Sequence, residues 1–391
     1  MEKLLVMKRN NFILLILLLI STVSIGQEEK KKQWMELNGY LKFMQTIGIA
    51  KDTNILVNNL WYNRLNFKLH LSPKSTINAQ FRNRLFYGDN VSNIPNYGEL
   101  INTYDGVFPL EWLVVDNSSI VLSVIADRLY YDYTSDKIQF RGGRQRINWG
   151  INTTWNPNDI FNSYNIYDFD YEEREGSDAL RLKLFPNYFS SVDIAYKFTN
   201  NFKTDVGAIM YKFNKSNYDI QLLAGKFMEN ISVGGGWAGS IKTMGFKGEA
   251  TYFIPYTAVG FHNVSVSTTI DYSWSNGSAL MATYLYNSSG TNTVIDPTVQ
   301  IITIPNAEKL MPAKHNTMVN YTKQLSPISG LNIGLLYSYG INSMVLFPTY
   351  TFNIKTNLDL DLIGQLFFSE LPNEEFSNVG NGLYWRLKMS F

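Results

Sequence analysis

Along most of this chain, apolar and polar side chains alternate one for one. Leu65, Phe67, Leu69 and Leu71 share one face, with Arg64, Asn66, Lys68 and His70 on the other. Leu180, Leu182 and Leu184 alternate with Arg181 and Lys183, and Val264, Val266, Ile270, Tyr272 and Trp274 with Ser265, Ser267, Asp271 and Ser273. A period of two is the mark of a strand with one apolar and one wetted face. A sandwich buries the apolar face against a second sheet, whereas a membrane barrel turns it to lipid. Three features favour the barrel. The segments run about 10–14 residues, the reach of a tilted membrane-crossing strand. Aromatics gather at their ends (Trp61 and Tyr62; Tyr130 and Tyr131; Tyr252 and Phe253; Trp274), as in interface girdles. The polar faces are rich in Arg, Lys, Asp, Asn, Ser and Thr, which would make a poor soluble core.

Residues 1–26 read as an export signal. Lys3, Lys8 and Arg9 precede the apolar run Phe12–Ile20, and Ser24-Ile25-Gly26 places small residues before a mature start at Gln27. No later apolar run is long enough for a helical span, so a membrane-embedded chain must cross as a barrel. Lys+Arg (34) and Asp+Glu (33) nearly cancel, which excludes the overall basic charge typical of nucleic-acid binding. With no cysteine there are no disulfides, thiolate metal sites or cysteine nucleophile, and three histidines argue against a His-rich metal centre.

The expected fold is an all-β transmembrane antiparallel β-barrel of about 16–18 strands. With eighteen segments counted, the long connections 89–117, 150–177, 288–315 and 370–379 all follow odd-numbered strands. Tight turns such as Ser72-Pro73-Lys74 and Ser275-Asn276-Gly277 follow even-numbered ones. That sorting matches outer-membrane barrels, with short periplasmic turns and longer outer loops. The final stretch Leu383, Trp385, Leu387, Met389, Phe391 alternates to a terminal phenylalanine, like the strand by which the barrel-assembly machinery recognises its clients.

Gly142-Gly143-Arg144-Gln145-Arg146-Ile147-Asn148-Trp149-Gly150, Trp155-Asn156-Pro157-Asn158-Asp159, Asp168-Phe169-Asp170-Tyr171-Glu172-Glu173-Arg174 and Gly176-Ser177-Asp178-Ala179 follow one another in residues 140–185. Together they resemble a family of porin-like outer-membrane barrels of Bacteroidetes. The resemblance implies an outer-membrane location and a barrel fold more than any substrate. Glu175 stands where that family often has proline.

A barrel this wide leaves an aqueous channel, and a charged wall residue must face that water. Arg64, Lys68, Arg82, Arg84, Arg181 and Lys183 then point inward and form one basic wall, joined by Arg144 and Arg146, with Gln145 facing lipid. Asp271, Asp359 and Asp361 form a weaker acidic wall. The 150–177 connection carries Asp159, Asp168, Asp170, Glu172, Glu173 and Glu175 against Arg174 alone. Two readings stand: a constriction loop folded against the basic wall, or an acidic outer loop in water.

Other signals are weaker. Gly234, Gly236 and Gly239 match dinucleotide spacing, but no helix follows, so close strand packing explains them better. Alternating Asp168, Asp170 and Glu172 lack the turn glycine of a calcium loop. His262 and Ser265 have no orienting third group, so no catalytic site is expected. The reading is a passive channel for small polar or anionic solutes, without cofactor, with lipid and the assembly machinery as its other partners. The alternatives are an export barrel for an acidic polysaccharide, needing a basic lumen throughout, and a hydrophobic-substrate transporter, needing an apolar lumen pocket and a side opening.

Overall fold

The structure is a computed structural model. It describes residues 34–51, 55–102, 106–163, 165–167, 170, 174–257, 260–296, 305–372 and 374–391. The expected export signal, 1–26, lies outside the described residues.

The strands are β1 (Met35–Ala50), β2 (Ile55–Ser72), β3 (Ser75–Gly88), β4 (Glu111–Asp116), β5 (Ile120–Thr134), β6 (Ile138–Gln145), β7 (Ser177–Asn187), β8 (Ser190–Lys197), β9 (Val206–Lys215) and β10 (Tyr218–Phe227). They continue with β11 (Asn230–Ile241), β12 (Met244–Pro255), β13 (Asn263–Ser273), β14 (Ser278–Asn287), β15 (His315–Ser326), β16 (Ser329–Tyr339), β17 (Ser343–Lys355), β18 (Leu358–Ser369) and β19 (Ser377–Ser390). All strands but β4 pair with their sequence neighbours in one antiparallel ring of eighteen. The ring closes where β1 meets β19, from Tyr40↔Ser390 to Ala50↔Gly380. Phe391 completes the seam by exchanging backbone hydrogen bonds with Gly39, at 2.9 and 3.0 Å.

The faces are sorted as the barrel requires. Leu180, Ile270 and Leu362 are about half exposed, whereas Ser265, Ser267, Thr269 and Arg64 are fully buried. A sandwich would invert that order. The apolar rows form a continuous outer belt, and the polar rows face the interior. Antiparallel pairing puts alternate connections at opposite ends. The turns 73–74, 135–137, 188–189, 216–217, 242–243, 274–277, 327–328 and 356–357 share one end, and every long connection lies at the other. At the 216–217 turn, Ser216 and Asn217 both take positive φ (54° and 65°), the geometry that matches strand twist in a two-residue hairpin.

The 89–117 connection holds an unforeseen element. It carries two short helices (Asp89–Asn93 and Tyr97–Leu100) and then β4, which pairs only with β5. β5 uses Leu129–Thr134 to pair with β6 and Val121–Ile125 to pair with β4. β4 therefore continues the wall where β6 stops. The sequence suggested a strand to residue 149, but β6 ends at Gln145 because the chain turns inward there. Gly143 takes φ +117°, and a Cβ there would lie 2.3 Å from the Leu129 carbonyl oxygen. Arg144 and Asp178 hold the splice. Arg144 Nε donates to Asp178 Oδ1 at 2.8 Å, its Nη2 to the Phe108 carbonyl at 2.6 Å, and the Phe108 N–H donates to Asp178 Oδ2 at 2.9 Å.

Both charged side chains of that splice are buried. Removing one partner of a buried pair leaves the other charge uncompensated, at a cost of about 3–5 kcal/mol. Asp178→Ala is expected to lower the urea midpoint of the detergent-solubilised barrel by a corresponding amount. A surface change such as Asp219→Ala is expected to leave it unmoved.

Candidate functional site

After Gln145 the chain enters the ring and packs on its inner face. Ile147, Trp149, Trp155, Ile160 and Phe161 are buried against inward residues of the wall. Glu249 on β12 is the main anchor. Its Oε1 accepts from the backbone N–H of Ile151 (2.8 Å) and Asn152 (2.6 Å), and its Oε2 from that of Asn158 (2.8 Å). Gln221 on β10 donates to the Trp149 carbonyl at 2.9 Å, and Thr251 to the Pro157 carbonyl at 2.9 Å. Asn152 donates to Ser267 on β13, and Trp149 Nε1 to Asp193 on β8. Backbone groups that a regular element would pair with one another are thus paired with wall side chains.

The motif stretch supplies the local geometry. At Gly150 a Cβ would sit 2.2 Å from Asn156 Oδ1, so any side chain there would displace Asn156. Gly234 and Gly236 leave room for Asn158, whose side-chain atoms would lie 2.7 and 3.1 Å from a Cβ at those positions. Close approach of this loop, rather than a phosphate, accounts for these two β11 glycines.

The loop then crosses to the far wall. Gln365 on β18 donates to the Tyr167 carbonyl at 3.0 Å. Asp170 accepts from Lys42 on β1 (2.7 Å) and Arg386 on β19 (3.0 Å), and Arg386 also pairs with Asp361 at 2.9 Å. Returning, Arg174 pairs with Asp159 at 2.7 Å, and its carbonyl accepts from Arg128. A second inward segment, 305–314, buries Ala307, Leu310, Met311 and Ala313. Asn287 donates to its Met311 carbonyl, while Asn230 and Asn263 hold Glu308.

Asp159 is fully enclosed. Burial pushes its carboxyl up to about 6, against the opposing pull of Arg174, the Trp149 N–H and Arg146.

The basic residues anticipated from sequence are dispersed among carboxylates. Arg64 and Arg82 share Asp127, at 2.7 and 2.8 Å. Arg84 donates to the Ile101 carbonyl at 3.1 Å and lies over the Phe86 ring. Arg181 pairs with Asp193, and Lys183 lies over the Phe185 ring at 5.1 Å. Lys68 is half-buried on β2. Arg144 belongs to the splice, and Arg146 lies near Asp159. Gln145 is fully buried and donates to the Ala179 carbonyl at 3.1 Å, so it does not face lipid as expected. Of the described loop acids, Asp159 meets Arg174 of its own loop and lies near the anticipated Arg146, and Asp170 meets Lys42 and Arg386. Asp168, Glu172 and Glu173 lie outside the described residues.

Glu249, Asp127, Asp193, Lys42 and Arg386 went unnoticed in the sequence. A signal was present, since a lone carboxylate between Gly248 and Ala250 on a lipid-bordered strand must point inward.

No protein-family model matches this chain, and no curated protein matches it. Solved structures do. Acinetobacter baumannii OccAB4 aligns over 92% of this chain and 99% of its own, at 11% identity and TM-score 0.57. Pseudomonas aeruginosa OpdQ covers 92% and 99% at 8% identity and TM-score 0.58. The P. aeruginosa outer-membrane protein OpdK covers 91% and 98% at 6% identity and TM-score 0.57. At such identities the likeness is one of fold.

Two outcomes follow from the anchors. Glu249→Ala is expected to speed hydrogen exchange at the Ile151, Asn152 and Asn158 amides by tenfold or more while strand amides stay protected; about 1.4 kcal/mol of lost protection corresponds to tenfold. Asp159 holds its proton more tightly when folded than at the ordinary value of 3.8. Ionising it therefore costs stability above about pH 6, and the cost fades as pH falls from about 6 toward 4. Urea midpoints are expected to rise across that fall, and less so in Asp159→Asn.

Proposed function

We propose that this protein is an outer-membrane channel through which small polar or anionic solutes diffuse passively. The observation carrying the proposal is a loop held inside a closed ring of strands by a wall carboxylate, Glu249. In this reading the solute path runs between that loop and the cation-bearing inner rows of β2, β3 and β7. Lys68, Arg84 and Lys183 supply positive potential there, while Arg64, Arg82 and Arg181 are held against Asp127 and Asp193. Asp159, Asp170 and their cationic partners keep the loop in place. Fixed charges of both signs across a narrow aqueous gap orient polar solutes and admit ions selectively.

The outer belt of half-exposed Leu, Ile, Val and Tyr supports a lipid environment, and the fold likeness to OpdK supports the outer membrane as its site. Long connections gathered at one end support an orientation with that end outside the cell. Residues 1–26 act as the export signal, and the strand ending at Phe391 engages the barrel-assembly machinery. Membership of the porin-like family of Bacteroidetes rests on residues 140–185, where Gly143, Gly150, Asn158 and Asp178 each meet a local structural demand. An exporter of acidic polysaccharide is less well supported, because the inner face of β13 offers Ser265, Ser267 and Thr269 rather than cations.

Single-channel recording in planar bilayers tests the proposal. Stepwise conductance with anion preference is expected. Arg84→Glu combined with Lys183→Glu is expected to shift the reversal potential toward cations in a salt gradient. Correctly folded protein that gives no conductance steps overturns the reading.

A further inference from the structure

We propose that a groove on the lipid-facing side of the barrel, over Pro348 and Gly364, binds the acyl chain of a bilayer phospholipid. The groove encloses about 430 Å³, within the roughly 300–1,000 Å³ range of ligand clefts. Its origin is a flaw in the wall. Pro348 lies inside β17, a strand paired on both sides, and has no N–H to give. Toward β16 the pairing is continuous through Phe347↔Gly334 and Pro348↔Ile333. Toward β18 it passes from Leu346↔Leu366 directly to Thr349↔Ile363. The missing donor thus faces Gly364, which brings no side chain to cover the gap. A Cβ on Gly364 would lie 3.0 Å from Pro348 Cγ.

Two adjacent outward rows line the groove. Leu331, Tyr350, Leu362 and Trp385 are successive cross-strand partners along one. The other holds the flaw itself and continues from Gly364 through Leu383 to Ile47. The groove runs between these rows across four strands and the seam to β1.

The lining identifies the occupant. It contains no Lys, Arg, Asp or Glu, and the polar groups on its outward side chains are the Tyr350 hydroxyl and the Trp385 indole N–H. The Trp385 N–H is already given to Gln45 Oε1 at 2.9 Å. A free fatty acid or other headed ligand would find no charge partner here. A chain whose headgroup stays at the membrane surface needs none. The nearest rim charge past the end of β1 is Lys51, which pairs with Glu374; Lys51 is four residues beyond Ile47, or about 13 Å along the chain. The groove therefore lies at chain depth. Leu362 and Leu383 remain about half exposed, and the medium wetting this belt is hydrocarbon. An unfilled groove forfeits dispersion contacts along its walls.

The experiment uses the whole protein in phosphatidylcholine vesicles doped with phosphatidylcholine bearing a mid-chain diazirine. After illumination, adducts are mapped by peptide mass spectrometry. Adduct yield at Leu362 and Leu383 is expected to exceed that at Ile209, Leu222 and Val233, comparably exposed outward residues of β9 to β11, by fivefold or more. Gly364→Leu fills the groove and is expected to reduce the ratio to near one. Leu362→Trp is a second filling variant should the first fail to insert, judged by heat-dependent gel mobility. Equal labelling of both regions in the unaltered protein overturns the proposal. So does enrichment that survives in a folded filling variant.

Discussion

A strand wall in hydrocarbon cannot leave its backbone unpaired, because no water is present to take up a stray N–H or C=O. Most of the unusual features of this barrel follow from meeting that demand while sending part of the chain inward. β6 leaves the ring after Gln145, which would strip the upper half of β5 of its partner. β4, drawn from the preceding connection, takes that place. The substitution needs a sharp turn at Gly143 and a filler between three chain ends, which Arg144 and Asp178 provide. Pro348 marks the place where the demand is met least well, and there the wall has a groove on its lipid side.

The ring could be read from alternation as 16–18 strands, because a barrel presents the same two media to every strand; the glycines at 234–236 blur the pattern where the loop approaches β11. The segregation of long connections to one end was legible for a related reason: antiparallel order leaves connection length free to vary end by end. β4 was not legible. It has six residues and borrows its place from another strand, so nothing periodic marks it. The inward loop was visible as a motif, but its partners were not. Glu249 is one carboxylate on a glycine-rich strand, and only three dimensions bring it under Ile151, Asn152 and Asn158. Counting cations strand by strand likewise missed Asp127 and Asp193, which sit on the same polar faces as the arginines they meet.

That pairing has a physical reason. A cation on the inner row is partly walled off from water by the loop, and isolated charge becomes costly as its hydration is lost. Where the loop packs closely, each arginine is therefore matched, as Arg64 and Arg82 are by Asp127. The same rule governs the far end of the loop. Lys42 is buried on β1 between outward-facing Leu41 and Phe43, and Asp170 reaches across to it. The loop acids thus neutralise whichever wall cations they come to cover.

The inner face is also graded by size, and the grading sets where the loop can lie. Over β11 to β13 the inward positions besides Glu249 include Gly234, Gly236, Thr251, Ser265, Ser267 and Thr269, and Asn158 approaches the sheet over the two glycines. On β2, β3 and β7 they include Arg64, Arg82 and Arg181, which are held against Asp127 and Asp193, and Trp149 of the loop donates to that same Asp193. A loop with no regular structure of its own takes the shape of the surface that satisfies its backbone.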